Sequence, residues 1–249
     1  MTLLLRGEYG SRAYGTNTVD SDRDIVEIVV EDPKYITGLF EHRTEMGSTA
    51  EQGERSTRDD TDKTVYGLQK FAGLASAGNP SVLATLFLGD YEYLSPLGRD
   101  LLQQRHLFVS KFAGQKFLGY MRSQRMAVTG ERKQRTNRPE LVHKYGYDTK
   151  FSYHMIRLGM LGTELMTTGQ IVLPMTANDV EILMDIRQGR FTKEELLEYS
   201  EEVEALLVKA MEDSHLPEYT DRDAISEVLH GIYQTTWFNN AMSEEAVEF

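Results

Sequence analysis

Two aspartates two positions apart are the residues of this sequence best suited to hold a metal ion. Asp22 and Asp24 lie at the start of Ile25 to Val30, an apolar, β-branched run that predicts a strand. Because side chains alternate along a strand, the two aspartates should project from the same face. Two neighbouring carboxylates repel each other unless a cation lies between them. Mg²⁺ favours carboxylate oxygens together with phosphate oxygens, so we expect this pair to bind one or two Mg²⁺ ions, for which Mn²⁺ could substitute.

A Gly-Ser pair precedes these aspartates by about a dozen residues. The apolar run Leu3 to Leu5 predicts a buried strand, and the small residues from Gly7 to Gly15 predict a tight turn into a short helix. Gly10 lets the backbone approach a phosphate closely, and the Ser11 hydroxyl can donate to anionic oxygens. Taken singly, each motif usually marks a turn. Their order and spacing together favour a joint site for metal ions and a nucleoside triphosphate such as ATP.

Cationic side chains elsewhere could contact the nucleotide. Arg12 flanks the predicted metal site, and Lys70 lies on a helix predicted soon after it. Lys150, His154 and Arg157 are spaced by four and three residues, so they share one face of a predicted helix and indicate an anion or nucleotide site. The alternatives stay open: Arg12 and Lys70 as surface residues, and the helical trio as an exposed polar stripe with His154 satisfied in the interior.

Charge is unevenly distributed along the chain. The formal net charge is −12, which argues against a general nucleic-acid coat. Between residues 122 and 150, however, eight Lys or Arg stand against three acids. This basic segment, with Tyr145, Tyr147, Phe151 and Tyr153 beside it, is typical of a surface that binds single-stranded nucleic acid. The alternatives are a solvated loop and core aromatics.

The periodicity predicts an α+β protein. Strands at Leu3 to Leu5, Ile25 to Val30 and Thr64 to Tyr66 should form a small mixed sheet with helices in a catalytic module, residues 1–66. The polar segment 41–62 should be an exposed loop. Residues 67–238 should be mainly α-helical, with helices over 97–127, 151–167 and 193–212, and complete the substrate cleft. Residues 239–249 form an acidic tail that we expect to be flexible.

The motif Gly-Ser-Arg-Ala-Tyr-Gly followed by Asp-Ser-Asp-Arg-Asp resembles the DNA polymerase beta nucleotidyltransferase superfamily. Within it, the sequence is similar to predicted nucleotidyltransferases that include the RNA-ligase-associated polymerase type. The resemblance covers roughly residues 5–190. Further motifs agree with it in order: Tyr66 to Phe71, Gly78-Asn79-Pro80, Leu86-Phe87, Tyr147 to Phe151, His154, Arg157-Leu158, Gly169 and Ile186 to Gly189.

The resemblance implies the fold, the reaction and a third carboxylate. The fold would be a polymerase-beta-like module followed by a helical region. The third metal ligand, on a later strand, best matches Asp62, with Asp59 and Asp60 as rivals. Asp22, Asp24 and Asp62 would then be catalytic, holding two Mg²⁺ ions about 3.5–4 Å apart. The reaction would be transfer of a nucleoside monophosphate from a triphosphate, with release of pyrophosphate.

The acceptor is left open by these motifs. We expect an RNA 3′ end, from the basic segment and from the resemblance. The alternatives are a small-molecule or protein hydroxyl, or an inactive nucleotide-binding module. Without cysteine, thiolate zinc sites and cysteine nucleophiles are excluded, and a reducing cytoplasm is expected. Because no apolar run approaches the roughly 18 residues of a membrane span, we expect no membrane partner.

Overall fold

A computed structural model of the 249-residue chain describes residues 1–41, 44–50, 56–131 and 138–247. The chain divides into two compact units. Unit 1 combines residues 1–76, 81–108 and 220–249, and unit 2 combines residues 77–80 and 109–219. The mixed sheet belongs to unit 1.

Five strands form this sheet. They are β1 (Thr2–Tyr9), β2 (Arg23–Val30), β3 (Glu45–Ser48), β4 (Thr61–Gly67) and β5 (Tyr93–Leu94), in the order β3-β4-β2-β1-β5. The central strands β2 and β4 are parallel, and each of the other pairs is antiparallel. The β-branched run of β2 is buried throughout Ile25 to Val30, as expected for a central strand covered on both faces.

The helices are named in chain order. They are α1 (Gly10–Ala13), α2 (Pro33–Ile36), α3 (Leu68–Ser76), α4 (Pro80–Ala84), α5 (Pro96–Gln103), α6 (Lys111–Thr129), α7 (Pro139–Tyr145), α8 (Thr149–Thr168), α9 (Ala177–Arg187), α10 (Lys193–Asp213) and α11 (Arg222–Val247). Two short 3₁₀ helices cover Thr85–Phe87 and Arg105–Phe108. None of the described helices is both long and apolar enough to cross a membrane.

Unit 2 is helical, and small residues bring its long helices together. A Cβ on Gly159 of α8 would lie 2.3 Å from Val203 of α10, and one on Gly162 would lie 2.9 Å from Phe117 of α6. Because these positions carry no side chain, α8 packs tightly between α6 and α10. This packing fixes the face of α8 that carries His154 and Arg157.

The predicted α+β class and the mixed sheet are confirmed. One predicted loop is wrong, because segment 41–62 contains β3 and the start of β4. The predicted helix 97–127 is also wrong as a single element, since α5 and a 3₁₀ turn precede α6. The assignment of residues 1–66 and 67–238 to separate roles stays a prediction, as does the flexibility of 239–249, although α11 extends to Val247.

Candidate active site

The parallel pairing of β2 and β4 brings three carboxylates together at one edge of the sheet. Asp24 and Asp62 are register partners on these strands, and Asp22 lies two residues before Asp24. Each of the three offers a carboxylate oxygen within 4.8 Å of those of the other two. All three side chains are partly exposed, so solvent ions and substrates can reach them.

The backbone of Gly10 lies directly against this cluster. Tyr9 is the register partner of Asp24, so the chain turns into α1 beside that aspartate. Gly10 has a φ of +67°, and a Cβ there would lie 1.9 Å from Oδ2 of Asp24. Only glycine accommodates both the left-handed backbone and the close approach. The structure therefore brings the Gly-Ser turn and the paired aspartates to one place.

Among the rivals for the third carboxylate, Asp62 is the one that joins the group. Ser56 donates its hydroxyl to both oxygens of Asp62, at 3.0 and 3.1 Å. Asp60 instead accepts from the Thr57 amide and hydroxyl at 2.9 and 2.8 Å, and these hydrogen bonds lower the pKa of Asp60. Asp59 is exposed and pairs with the neighbouring arginine. No motif indicated Ser56, which lies in segment 41–62, predicted from the sequence to be an exposed loop.

Tyr9 is a further neighbour of the carboxylates that the sequence did not indicate. Burial raises the pKa of its phenol, a hydrogen bond with Thr64 opposes that change, and the negative charges of Asp24 and Asp62 raise the pKa further. Thr64 and Asp62 are two apart on β4, so they share a face of the sheet. The Tyr9 phenol is therefore protonated and lies, half-buried, beside the carboxylates.

Arg12 supports the loop that carries the aspartates. Its guanidinium donates to the carbonyl oxygens of Ser21 and Asp22, both at 3.3 Å, and lies 3.4 Å from a carboxylate oxygen of Glu8. The carbonyl of Ser11 accepts from the Thr16 amide at 2.9 Å, which closes the turn after α1. Ser11 and Arg12 thus lie beside the cluster. The Arg12 guanidinium is engaged by two carbonyl oxygens of the loop and by Glu8.

Lys70 does not join the carboxylates. It lies in the first turn of α3, which follows the far end of β4, beside Glu31 at the end of β2. At about 3.3 Å per residue, the seven positions from Asp24 to Glu31 separate the two ends of the sheet by roughly 20 Å. The length of the parallel strands therefore places Lys70 away from the three aspartates, and its contact with a nucleotide phosphate stays a prediction.

Lys150, His154 and Arg157 all lie on α8, in unit 2. Arg157 is 9% exposed and its Nη2 lies 3.1 Å from Nδ1 of His154, whereas Lys150 is exposed. Tyr147 and Tyr153, proposed as base-stacking residues, are 2% and 3% exposed, which favours the core alternative for both. Residues 132–137 of the basic segment lie outside the described residues.

The carboxylate cluster fits divalent cations of the magnesium class. Its ligands are hard oxygen donors that converge at one point, where their mutual repulsion favours a bound cation. The Gly10 backbone approaches Asp24 so closely that no side chain could stand at residue 10. The arrangement can therefore neutralise a polyphosphate and orient it for displacement at phosphorus.

Two known proteins are similar to parts of this chain. A stretch of 88 residues is 33% identical to an uncharacterized 38.9 kDa protein encoded in the nrdC-mobD intergenic region of Enterobacteria phage T4. The match takes in 34% of this chain and 26% of that protein, so the chain spans only part of its relative. A nucleotidyltransferase-like protein from Exiguobacterium sibiricum 255-15 aligns with 85% of this chain and 69% of its own, at 10% identity and a TM-score of 0.31.

The comparison that covers most of the chain is with a family model. The model of the RNA repair pathway DNA polymerase beta family, RlaP, matches residues 1–231, which include the sheet, the three aspartates and α8. That span confirms the nucleotidyltransferase resemblance seen in the motifs. The chain belongs to the RNA repair pathway DNA polymerase beta family.

Proposed function

We propose that this protein transfers a nucleoside monophosphate from a nucleoside triphosphate to the 3′-hydroxyl of an RNA and releases pyrophosphate. The observation that carries the proposal is the convergence of Asp22, Asp24 and Asp62 within 4.8 Å beside the backbone of Gly10. The membership of an RNA repair family supports RNA as the acceptor. Support for a metal comes from the oxygen donor set.

In this reaction, the acceptor hydroxyl oxygen forms a bond to the α-phosphorus, and the bond from that phosphorus to the pyrophosphate oxygen breaks. Positioning and charge neutralisation supply most of the catalysis in phosphoryl-group chemistry. Asp22, Asp24 and Asp62 would hold two Mg²⁺ ions, or Mn²⁺ in their place, which when bound neutralise the triphosphate and acidify the acceptor hydroxyl. Asp62 would serve either as a metal ligand or as the proton acceptor.

The remaining groups of the turn would hold the triphosphate. The Gly10 backbone comes close enough to the carboxylates to approach the same anion, and the Ser11 hydroxyl would donate to the β- or γ-phosphate. Arg12 would position the loop at Ser21 and Asp22 and contact phosphate only at its margin. Tyr9 would exclude water from the inner side of the cluster.

The test is nucleotidyl transfer with each of the four α-labelled nucleoside triphosphates, Mg²⁺ and bulk tRNA. We expect label on RNA, lost by about 100-fold or more in Asp22→Asn, because metal ligation contributes several kcal/mol of charge stabilisation. Asp59→Asn is the matched control. It removes the charge of an exposed aspartate that pairs with Arg58, and it should retain activity.

The alternatives give different outcomes in the same assay. Label on the protein or on a small product, with none on RNA, would assign a protein or small-molecule hydroxyl as the acceptor. If wild type and Asp22→Asn transferred label equally and bound Mg²⁺ equally well, the catalytic role proposed for Asp22 would be wrong. If wild type transferred label to no product, the chain would be a nucleotide-binding module without this activity.

A further inference from the structure

A group of cationic side chains surrounds one histidine in unit 2. The His154 cluster comprises His154 itself with Arg138, Lys150, Arg157 and Arg187. Burial lowers the pKa of His154 well below its usual value, and the positive charges of Arg157, Lys150, Arg138 and Arg187 lower it further, in that order. These residues come from α8, from the end of α9 and from the residue before α7, so distant parts of the sequence converge here.

Hydrogen bonding defines the chemical form of the histidine. The Arg157 guanidinium lies 3.1 Å from Nδ1 of His154. A guanidinium can only donate, so Nδ1 accepts and the neutral ring carries its proton on Nε2. His154 therefore adds a neutral N–H donor to a group of cationic donors, a combination suited to several oxygens of one anion.

Aromatic rings hold three of these arginines in place. The guanidinium carbons of Arg157 and Arg187 lie 5.3 and 5.4 Å from the ring centroid of Tyr153, which is 3% exposed. The Arg138 guanidinium lies 5.5 Å from the ring of Phe151. Contacts with ring faces stabilise cations and restrict their motion, so the donors are arranged before a ligand arrives.

Asp148 balances part of the positive charge. Its Oδ1 accepts from the amides of Lys150 and Phe151 at 2.9 and 3.1 Å, which caps α8, and its Oδ2 lies 3.4 Å from Arg138. The carboxylate is thus engaged by the helix as well as by an arginine. Like charges gathered at a part-buried position repel one another, so a bound anion would stabilise the arrangement.

We propose that the His154 cluster binds a terminal phosphate group, either of an RNA end or of a free nucleoside triphosphate. Two features favour a terminal group over an internal phosphodiester. Arg157 is 9% exposed, so its guanidinium is recessed, and a phosphate flanked by two riboses would reach it poorly. A terminal phosphate also carries close to two negative charges, which suits a multiply cationic site. Naming an RNA end as the source of the phosphate rests on the proposed function, whereas the binding of a terminal phosphate does not.

The test measures binding to the full chain in EDTA, without magnesium. The probes are single-stranded RNA 10-mers of one sequence with a 5′-phosphate, with a 3′-phosphate, or with hydroxyls at both ends. We expect a phosphorylated 10-mer to bind about tenfold more tightly or better, since only its terminal phosphate can form charge-assisted hydrogen bonds with the cluster. Competition by ATP, but no preference among the RNAs, would identify a free triphosphate as the source.

Variants assign this preference to the cluster. Lys150→Gln changes an exposed side chain and Arg187→Gln a half-buried one, and each should remove most of the preference with the thermal midpoint retained. Arg122→Gln is the control, because Arg122 lies in the same unit but pairs with Glu204 at 2.7 Å. In NMR titrations, phosphorylated RNA or ATP should also raise the pKa of His154, because a nearby anion favours the imidazolium.

The inference is overturned if hydroxyl and phosphate ends bind equally and ATP does not compete, or if both cluster variants keep the wild-type preference. An unmoved His154 titration in the presence of saturating ligand would also contradict it. Asp24→Asn should keep the phosphate preference. A wild-type protein with that preference but no nucleotidyl transfer would refute the proposed function and leave this inference standing.

Discussion

At the scale of single residues, the turn at Gly10 is defined by how closely main chain approaches a carboxylate. The Oδ2 atom of Asp24 occupies the position that a side chain at residue 10 would need. Glycine is thus required here for its missing Cβ as well as for its backbone conformation. The Asp24 carboxylate also offers an oxygen within 4.8 Å of those of Asp22 and Asp62.

Replacing Gly10 with alanine should reduce both activity and magnesium affinity. The added Cβ would displace Asp24, and the left-handed backbone at φ +67° would cost a further ~1–2 kcal/mol of stability. Isothermal titration with Mg²⁺ and the transfer assay measure the two effects. Gly47→Ala is the matched control in unit 1, because no atom lies within 4 Å of a Cβ built there. Equal loss in both variants would contradict the explanation.

Ser56 should set the orientation of Asp62. Its hydroxyl donates to both carboxylate oxygens, so Ser56→Ala would let the carboxylate rotate while leaving its charge in place. Loss of such an outer hydrogen bond typically lowers metal affinity by about 10–100-fold. We expect Mg²⁺ affinity to fall and excess Mg²⁺ to restore transfer. Ser76→Ala, whose hydroxyl donates to a carbonyl of α3, should change neither quantity.

At the scale of elements, an ion-paired carboxylate connects the three central strands. Glu27 of β2 accepts from Arg6 of β1 at 2.6 Å and from Lys63 of β4 at 2.9 Å. Glu27 is 6% exposed, whereas both cations reach solvent. These contacts reinforce the register that aligns Tyr9, Asp24 and Asp62 across the same strands.

This carboxylate should make unit 1 sensitive to acid. Burial acts to raise the pKa of Glu27, but the hydrogen bonds and charges of Lys63 and Arg6 outweigh burial and lower the pKa below 4.5. A lowered native pKa gives stability that is complete above pH 4.5 and lost as the pH falls through the native pKa. Urea unfolding between pH 7 and 3, followed by the fluorescence of the single tryptophan, should show a steeper acid loss for wild type than for Glu27→Gln.

The control variant should remove a carboxylate that has no partners on neighbouring strands. Glu227→Gln removes an exposed carboxylate from α11 of the same unit and should leave the acid profile of the wild type unchanged. At neutral pH, Glu27→Gln should be the less stable of the two variants. Parallel profiles for wild type and Glu27→Gln would show that the ion pairs contribute nothing measurable.

At the scale of the whole molecule, unit 1 is assembled from segments far apart in the chain. Its last segment, residues 220–249, supplies α11. Tyr233 on that helix donates to Glu31 at 2.5 Å, and Trp237 donates to the Glu31 carbonyl at 2.8 Å. Glu31 is 3% exposed and also accepts from the Leu68 amide. The C-terminal helix therefore completes the hydrogen bonding of a buried carboxylate beside the sheet.

Truncation should separate the structural part of α11 from its end. A chain lacking residues 220–249 should lose more than about 3 kcal/mol from unit 1, because Glu31 loses partners and apolar side chains lose their cover. A chain lacking only residues 239–249 retains Tyr233 and Trp237 and should keep its stability and transfer activity. Soluble yield, urea unfolding and the transfer assay distinguish the two, and equal behaviour would contradict this role for α11.

The sequence by itself determined the features that depend on neighbouring residues. Alternation along a strand is enough to place Asp22 and Asp24 on one face, and a glycine before a serine is enough to mark a turn. The β-branched run of Ile25 to Val30 identified a strand, and the order of motifs identified the nucleotidyltransferase family. These inferences need no knowledge of how distant segments pair.

Only the tertiary structure decided which distant residues meet. The parallel register of β2 and β4 brings Asp62 to Asp24 across 38 positions of chain, and the same strands carry Lys70 to the opposite end of the sheet. Likewise, Arg187 joins His154 because α9 packs on α8, which local spacing does not encode. The physical reason is that periodicity sets the face a side chain occupies, whereas its partners follow from register and packing over the whole fold.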